Sequence, residues 1–160
     1  MKEITISTKI KVYESAKELP GEYQKLLKSA RAAVNHAYAP YSNFRVGSAV
    51  LLDNGSIVQG ANLENAAYSM CICAERTALG NAAMQYPGTV VKAIAVTVQS
   101  QKKEIGQPAS PCGACRQVIS ETEDRQQQDI VIIMQGSEGA IYVLESGKGL
   151  LPIGFHGGFL

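Results

Sequence analysis

Residues 46–63 read VGSAVLLDNGSIVQGANL, two largely apolar runs separated by an Asn-Gly pair. Asn54 and Gly55 readily adopt the positive φ angles that a tight turn requires. Apolar and β-branched runs on both sides of such a turn are typical of paired strands. The stretch therefore predicts a β-hairpin, which supplies two antiparallel strands of the fold.

A helix and a further strand are predicted on the N-terminal side of this hairpin. From Glu22 onward apolar residues recur at steps of three and four, the period of an amphipathic helix that buries one face, and Pro40 would end it. Upstream, before the turn signal at Pro20 and Gly21, apolar and polar residues alternate, which predicts a half-exposed strand. The helical set is Tyr23, Leu26, Leu27, Ala30, Val34 and Ala37, and the alternating set is Ile4, Ile6, Ile10 and Val12.

On the C-terminal side, predicted helices and strands alternate. Residues 73–86 are rich in good helix formers, residues 91–98 form a β-branched apolar run, and residues 112–123 again favour a helix. Residues 130–134, IVIIM, are fully apolar, as expected of a central strand covered on both faces. A helix, a hairpin and then alternating strands and helices predict one α/β layer fold with a mixed sheet.

Composition and charge narrow the class of protein. The chain has 160 residues and a formal net charge of +1 with mixed signs, so it carries no basic stripe of the kind that binds many phosphates. We expect a small neutral partner rather than nucleic acid. The first residues contain no apolar segment typical of a secretory signal, and no apolar run approaches the roughly 18 residues of a membrane span. We therefore expect a cytoplasmic protein.

The four cysteines lie in two short stretches, CICAERTALGNAA at residues 71–83 and SPCGACRQV at residues 110–118. In a reducing compartment, clustered cysteines favour metal ligands or catalytic thiols over disulfides. Cys112 and Cys115 are three apart at the start of a predicted helix and share a face, and Cys73 precedes another predicted helix. Three thiolates directed at one point would form a zinc site with one position left open, as catalytic zinc requires.

Glu75, two residues after Cys73, is the expected base beside such a metal. Zinc can lower the pKa of bound water to about 7, and a nearby carboxylate can take the proton. Since residues two apart on a helix do not share a face, this requires Cys73 to lie at the very N-terminus of its helix. The alternatives are a structural site that also uses Cys71, with Glu75 as a solvated first-turn residue favoured by the helix dipole.

Cys73, Ala74 and Glu75, with Pro111, Cys112 and Cys115, resemble the signature of zinc-dependent nucleobase and nucleoside deaminases in the form where cysteine replaces the histidine ligand. The resemblance is closest to the small homotetrameric cytidine deaminases of the cytidine/deoxycytidylate deaminase family. Four blocks carry it, in order, over roughly residues 22 to 155: YAPYSNFRVGSA, GANLENAAYSM, CICAERTAL and SPCGACRQVISE.

The resemblance implies a fold, a reaction and a domain division. The expected fold is three-layer α-β-α with a mixed sheet of about five strands. Residues 22–160 would form a single catalytic domain, and residues 1–21 an N-terminal extension that could add a strand. The implied activity is hydrolytic deamination of cytidine, and of 2′-deoxycytidine, to uridine products and ammonia in pyrimidine salvage, with one zinc ion per subunit.

The resemblance also implies roles for the residues of the metal centre. Cys73, Cys112 and Cys115 would bind zinc, and Glu75 would move protons between water, the pyrimidine ring nitrogen and the leaving amine. Three thiolates leave the centre with a net negative charge. Arg76 resembles the arginine that offsets this charge by donating hydrogen bonds to a cysteine ligand.

Further positions resemble the family's substrate-binding residues. Asn62 and Glu64 match the pair that hydrogen-bonds the ribose 3′-hydroxyl, a group that both donates and accepts. The aromatic ring of Phe44 and the backbone of Ala74 would contact the base. Tyr68 and Phe155 resemble residues that enter a neighbouring subunit's site, so the resemblance implies a homotetramer with shared active sites.

Two rival functions remain at this stage. Blasticidin-type deaminases share the zinc blocks but lack the pair matched here by Asn62 and Glu64. A non-catalytic zinc module that mediates protein contacts is the rival from another class. The tail FHGGFL at residues 155–160 departs from the family, whose tail is usually longer and more acidic.

Overall fold

A mixed sheet of six strands forms the centre of the protein in a computed structural model that describes residues 1–160. The strands are β1 (Lys11–Tyr13), β2 (Phe44–Leu52), β3 (Ile57–Ala61), β4 (Val91–Ser100), β5 (Val131–Gln135) and β6 (Ile141–Leu144). Their order across the sheet is β1-β6-β5-β4-β2-β3, and only β4 and β5 run parallel. Helix α3 (Gly113–Gln126) connects these two strands, as a parallel pair requires a crossover.

Three helices cover the sheet, one on one face and two on the other. Helix α1 (Gly21–Ala33) buries Leu26, Leu27 and Ala30 against residues of β2, β4 and β5. Helices α2 (Ala74–Gln85) and α3 (Gly113–Gln126) bury the opposite face of the same strands. Burying one such leucine contributes about 1.5 to 3 kcal/mol, so these layers supply most of the driving force for folding. The three-layer α-β-α prediction is confirmed.

The predicted hairpin is present as β2 and β3, but its turn is longer than expected. Four residues, 53–56, separate the strands, and only Gly55 has positive φ, at 84°. Asn54 instead accepts a hydrogen bond from the backbone N–H of Ser56 through Oδ1, at 2.9 Å. The Asn-Gly pair therefore marks the turn correctly, whereas the prediction of positive φ at both residues is wrong.

The N-terminal strand is shorter than its alternating pattern predicts. Only β1 pairs, with β6 at the edge of the sheet, and this added strand brings the total to six. Residues 1–10 form no regular secondary structure, and Ile4 and Ile6 are exposed, since no neighbouring strand extends far enough to pair with them. The prediction that the upstream region could add a strand is borne out only over Lys11–Tyr13.

Helix α1 also ends earlier than its apolar pattern predicts. A short 3₁₀ turn, Val34–His36, follows it, so the helix reaches neither Ala37 nor Pro40. The backbone of Tyr38 is engaged elsewhere: its N–H donates to the carbonyl of Asn62 at 3.0 Å, and its carbonyl accepts from Glu64 at 2.8 Å. These hydrogen bonds between distant parts of the chain replace the last helical turn that the apolar periodicity predicts.

A glycine in β3 determines how closely α2 approaches the sheet. A Cβ atom on Gly60 would lie 2.2 Å from the backbone nitrogen of Ala78 and 2.5 Å from the carbonyl oxygen of Ala74. Only glycine permits this contact, since any side chain would push the helix away. The first turn of α2 is thereby seated directly on the sheet. No helix in the structure has the length and apolarity needed to cross a bilayer.

Candidate active site

Three cysteines meet where the N-termini of α2 and α3 converge. Cys73 is the residue immediately before α2 and Cys112 the residue immediately before α3, both with extended backbone. Cys115 lies in the first turn of α3 and is fully buried. The requirement that Cys73 sit at the very start of its helix is met. The positive ends of two helix dipoles therefore face the sulfurs and favour thiolates.

The spacing of the sulfurs fits a tetrahedral zinc site. The Sγ atoms of Cys73 and Cys112 are 3.7 Å apart, those of Cys112 and Cys115 are 3.5 Å apart, and all three lie within 4.8 Å of one another. Sulfurs held at about 2.3 Å from a tetrahedral ion lie roughly 3.8 Å from each other. The side chains are therefore arranged to hold zinc with little rearrangement.

The pKa values of two of the thiols shift in opposite directions. A hydrogen bond from the Cys115 thiol lowers the pKa of Cys73 to about 6. The same hydrogen bond, together with burial, raises the pKa of the Cys115 thiol above its ordinary value. One sulfur can thus ionise easily while its neighbour is held as a thiol. A bound divalent cation would remove this conflict, because it favours all three thiolates at once.

Cys71 lies outside this cluster. Its Sγ accepts a hydrogen bond from the backbone N–H of Asn65 at 3.3 Å and approaches the carbonyl of the same residue at 3.7 Å. Only Cys73, Cys112 and Cys115 come together at metal-ligand distances. The alternative of a four-cysteine structural site is therefore not favoured.

Glu75, two residues after Cys73, is only 4% exposed. Burial raises the pKa of its carboxyl above the ordinary value. Glu75 and Cys73 line the same cavity. A raised pKa makes a carboxyl a stronger base, and acid-base catalysis requires a group that both accepts and returns a proton.

A short backbone bridge joins the cysteine cluster to the predicted sugar-binding residues. Leu63 and Ile72 exchange two backbone hydrogen bonds, each of 3.0 Å, as an isolated antiparallel pair. Ile72 directly precedes Cys73, and Leu63 lies between Asn62 and Glu64. The bridge therefore places both predicted sets of residues on one side of the molecule.

Asn62 and Glu64 are both held by the backbone around β2. Asn62 Oδ1 accepts from the N–H of Val46 at 2.7 Å, and its Nδ2 donates to the carbonyl of Phe44 at 3.0 Å. The N–H groups of Tyr41 and Ser42 donate to Glu64 Oε2 at 2.9 and 3.2 Å, and the Ser42 hydroxyl donates to Oε1. The hydrogen bond from the Ser42 hydroxyl is the main cause that lowers the pKa of the Glu64 carboxyl.

A cavity of about 290 Å³ brings these groups together. Its lining includes Phe44, Asn62, Glu64, Cys73, Ala74, Glu75 and Cys112. A larger cavity, of about 540 Å³, lies at the opposite ends of α2 and α3 beside Tyr86 and Arg125. It contains no cysteine, histidine or carboxylate side chain, and therefore none of the groups that metal-assisted hydrolysis needs.

Tyr68, Phe155 and Arg76 are exposed on the single chain. Tyr68 is 78% exposed in a short 3₁₀ turn, and Phe155 is 58% exposed with its ring stacked on Phe159 at a centroid distance of 5.6 Å. Arg76 donates no hydrogen bond to a sulfur, although its charge contributes to the lowered pKa of Cys73. The roles implied for these three residues stay predictions.

The residues that position the site are those that sequence reasoning missed. Ser42 contacts Glu64, and Arg116 contacts the loop before Cys112 through Pro111 and Ser110. Both lie inside the quoted blocks YAPYSNFRVGSA and SPCGACRQVISE. Their position close to predicted site residues is the only feature of the sequence that could have identified Ser42 and Arg116.

Comparisons with known proteins agree with this geometry. The family model described as the cytidine and deoxycytidylate deaminase zinc-binding region matches residues 20–133. A cytidine deaminase of Halalkalibacterium halodurans is 49% identical over 98 residues, which are 61% of this chain and 70% of that protein. A cytidine deaminase of Sporosarcina psychrophila is 46% identical over 100 residues, 62% of this chain and 69% of that protein.

Solved structures match over a larger part of the chain. The crystal structure of cytidine deaminase from Burkholderia pseudomallei aligns with a TM-score of 0.73 at 41% identity, covering 83% of this chain and 98% of that one. The crystal structure of cytidine deaminase from Mycobacterium tuberculosis aligns with a TM-score of 0.63 at 29% identity, covering 83% and 96%. With a matching family model, a three-sulfur cluster and a shared fold, this chain belongs to the cytidine and deoxycytidylate deaminase family.

Proposed function

We propose that this protein is a zinc-dependent deaminase that hydrolyses cytidine, and 2′-deoxycytidine, to the corresponding uridine nucleoside and ammonia. The observation that carries the proposal is the cluster of Cys73, Cys112 and Cys115 beside buried Glu75, at the wall of a cavity of about 290 Å³. The relatives named cytidine deaminase support the same substrate. One zinc ion per subunit follows from the single cluster.

The residues around the cluster have distinct parts in the proposed reaction. Zinc, when held by the three sulfurs, supplies Lewis acidity that makes a water molecule nucleophilic near neutral pH. Glu75 accepts one proton from the attacking water and passes it to the ring nitrogen N3. It then accepts the remaining proton of the hydroxyl group on C4 and passes it to the amino group, so that the C4–N bond breaks, ammonia leaves and C4 becomes a carbonyl. Its burial favours this exchange, since the neutral carboxyl is stabilised by the same desolvation that raises its pKa.

Other residues that line the cavity recognise the nucleoside in this proposal. Phe44 and the backbone of Ala74 contact the base, and Asn62 and Glu64 bind the sugar 3′-hydroxyl. Both polar side chains retain hydrogen-bonding capacity beyond their contacts with the backbone of β2 and with Ser42, because an amide and a carboxylate each have several sites. The presence of this pair also favours cytidine over the substrates of blasticidin-type deaminases.

The assembly state is part of the proposal. We propose a homotetramer in which Tyr68 and Phe155 of one subunit reach a neighbouring site, and their exposure on the single chain supports this arrangement. Light scattering on the purified protein should give four times the mass of one chain. A stable, fully active monomer would contradict the shared sites. The cytoplasmic location, the role in pyrimidine salvage and the domain division after residue 21 stay predictions.

Incubation of the purified, zinc-loaded protein with cytidine tests the activity directly. The expected result is the release of one ammonia per uridine formed, followed by an ammonia assay and by the change in absorbance of the base. Removing the metal with a chelator should abolish the reaction, and adding zinc back should restore it. If folded protein with one zinc per chain turns over no cytosine nucleoside, a non-catalytic zinc module becomes the better explanation.

A further inference from the structure

Arg116, the residue after Cys115, makes three side-chain hydrogen bonds with three different nitrogens. Nε donates to the carbonyl of Pro111 at 2.8 Å, Nη2 donates to Ser110 Oγ at 3.0 Å, and Nη1 donates to the carbonyl of Leu150 at 2.9 Å. Arg116 is only partly exposed. A long side chain that is held at three points in this way has a fixed position and is not a mobile surface charge.

Two of these bonds hold the two residues immediately before Cys112. The backbone N–H of Arg116 also donates to the carbonyl of Cys112 at 3.0 Å, as the first bond of α3. Residues 110–112 are therefore attached to the first turn of the helix through both the side chain and the backbone of one residue. The segment before them, residues 101–109, contains no helix or strand and is attached to the rest of the chain through hydrogen bonds between Ile105 and Ser137.

The three cysteines differ in how firmly packing holds them. Cys115 is fully buried, whereas Cys112 is exposed. Packing therefore restrains the Cys115 sulfur, whereas it restrains Cys112 much less. The position of Cys112 depends on residues 110 and 111, to which Arg116 is hydrogen-bonded. A metal site with one poorly placed sulfur loses affinity, since tetrahedral coordination requires all ligands at their distances together.

The third bond connects the same loop to the C-terminal segment. Helix α3 holds this segment at two further points: Gln117 Nε2 donates to the carbonyl of Phe155 at 2.9 Å, and Glu123 Oε1 accepts from the N–H of Gly147 at 2.7 Å. Of these three helix residues, Arg116 alone also contacts the loop before Cys112. It joins the loop, the helix and the C-terminal segment at one place.

We infer that Arg116 is a positioning residue that holds Cys112 in place for zinc by binding Ser110 and Pro111 against α3 and the Leu150 carbonyl. The inference rests on the proposed zinc site, but not on the identity of the substrate. A guanidinium suits this task because its donors are fixed in a planar fork, whereas a lysine ammonium reaches the same acceptors only one or two at a time.

The test compares zinc retention by the full-length, zinc-loaded protein and three variants. Arg116→Gln keeps a polar side chain but cannot reach all three acceptors, and Arg116→Lys keeps the charge. Gln117→Ala is the matched control, because it removes a neighbouring bond from α3 to the C-terminal segment and leaves the loop before Cys112 intact. Competition with a chromophoric chelator measures the affinity, and circular dichroism checks that each variant is folded.

Residues that orient metal ligands typically contribute 10- to 100-fold in metal affinity. We expect about 100-fold weaker zinc binding for Arg116→Gln and about tenfold for Arg116→Lys, with no change for Gln117→Ala. Substitution with Co²⁺ gives a second readout, since the visible bands of cobalt bound to thiolates depend on coordination geometry. These bands should change in both Arg116 variants and not in the control.

Several outcomes would overturn the inference. Unchanged zinc affinity and cobalt spectra in folded Arg116→Gln would show that Cys112 needs no such support. If Arg116→Gln does not fold, Arg116→Lys decides the question by the same two measurements. Equal losses in the Gln117→Ala control would assign the effect to the C-terminal segment in general. If the unsubstituted protein itself binds no zinc, the proposed function fails, and this result is distinct from a failure of the role of Arg116 alone.

Discussion

The two walls of the candidate site are built in different ways. The metal wall uses the N-termini of two helices packed on the sheet, and its Cys115 and Glu75 are buried. The sugar wall uses the end of β3 and the loop at residues 41–43, and its Phe44 is exposed and its Glu64 half-buried. The proposed base and one proposed ligand are thus buried beneath the helices, whereas the residues proposed for sugar recognition are more accessible.

This difference predicts a gradient in the effects of substitutions. A buried ligand or base has no substitute, so its loss should remove the reaction. An exposed hydrogen bond contributes only about 0.5 to 1.5 kcal/mol, or 1.5 to 3 kcal/mol when one partner is charged, because water competes for the same groups. Substitutions on the sugar wall should therefore give graded changes in kcat/KM.

The largest effect is expected from Cys115→Ala. It removes the buried sulfur of the cluster, so two ligands remain and zinc should be lost together with all deaminase activity. Metal analysis and the ammonia assay measure both consequences. Cys71→Ala is the matched control, because Cys71 hydrogen-bonds only Asn65 and should be replaceable without loss of zinc. A full complement of zinc in Cys115→Ala would contradict the three-sulfur site.

Glu75→Gln should keep zinc and the fold but lower kcat by about 10² to 10⁴, the usual contribution of a general acid-base group. The amide has the size of the carboxyl but cannot carry the proton between water and substrate. Steady-state kinetics and metal analysis on the same preparation separate the two properties. Glu121→Gln, on the exposed surface of α3, should behave as the unsubstituted protein. Near-normal turnover in Glu75→Gln would exclude Glu75 as the base.

Glu64→Gln should lower kcat/KM for cytidine by about 10- to 100-fold, the range expected when a hydrogen bond to a charged group is lost. The reason is the loss of a charged acceptor for the sugar hydroxyl. A substrate without that hydroxyl, 2′,3′-dideoxycytidine, provides the control, because it should be much less sensitive to the substitution. Equal losses for both nucleosides would indicate that Glu64 acts on the structure of the loop rather than on the sugar.

Ser42→Ala should have a smaller effect of the same kind. The Ser42 hydroxyl donates to Glu64 and accepts from the backbone N–H of Phe44 at 2.9 Å, so its removal loosens both a polar and an aromatic residue of the cavity. The two backbone bonds to Glu64 Oε2 remain. We expect a loss of about 0.5 to 1.5 kcal/mol in kcat/KM for cytidine, with zinc content unchanged. A loss as large as that of Glu64→Gln would mean that the backbone bonds do not hold the carboxylate.

Removal of residues 1–9 should have the smallest effect on the reaction. These residues are exposed and contribute one side-chain bond, from Thr8 Oγ1 to the carbonyl of Gly149 at 2.7 Å. Strand β1 and its pairing with β6 would remain. We expect unchanged kcat/KM and a decrease of about 1 kcal/mol or less in the free energy of unfolding, measured by denaturant titration. A loss of turnover would give the N-terminal segment a direct part in the site.

The elements that could be predicted from sequence are those with a local cause. The hairpin follows from an Asn-Gly pair between apolar runs, and Cys73 and Cys112 at helix starts follow from helix formers placed after them. Central strand β5 follows from its continuous apolar run. In each case neighbours in the sequence decide the conformation.

The features that could not be predicted depend on distant partners. Helix α1 ends early because Tyr38 pairs with residues 62 and 64. Glu123 lies in a stretch that reads as a polar helix face, yet it is 1% exposed because Ile130 and Gly147 donate backbone hydrogen bonds to it. The acceptor of Arg116 at Leu150 lies 34 residues away. No pattern in a short stretch of sequence predicts contacts between residues that lie so far apart in the chain.

The backbone bridge between Leu63 and Ile72 allows the outer surface of the chain to vary without a change in the spacing of the site. It closes the segment 64–71 into a loop whose ends are fixed, so the spacing between the cysteine cluster and Asn62 does not depend on what the loop contains. Tyr68 lies within that loop and faces outward. Insertions or replacements around Tyr68, beyond Glu64, can diversify the outer surface, and with it the choice of neighbours, while the distance between the cysteine cluster and Asn62 stays constant.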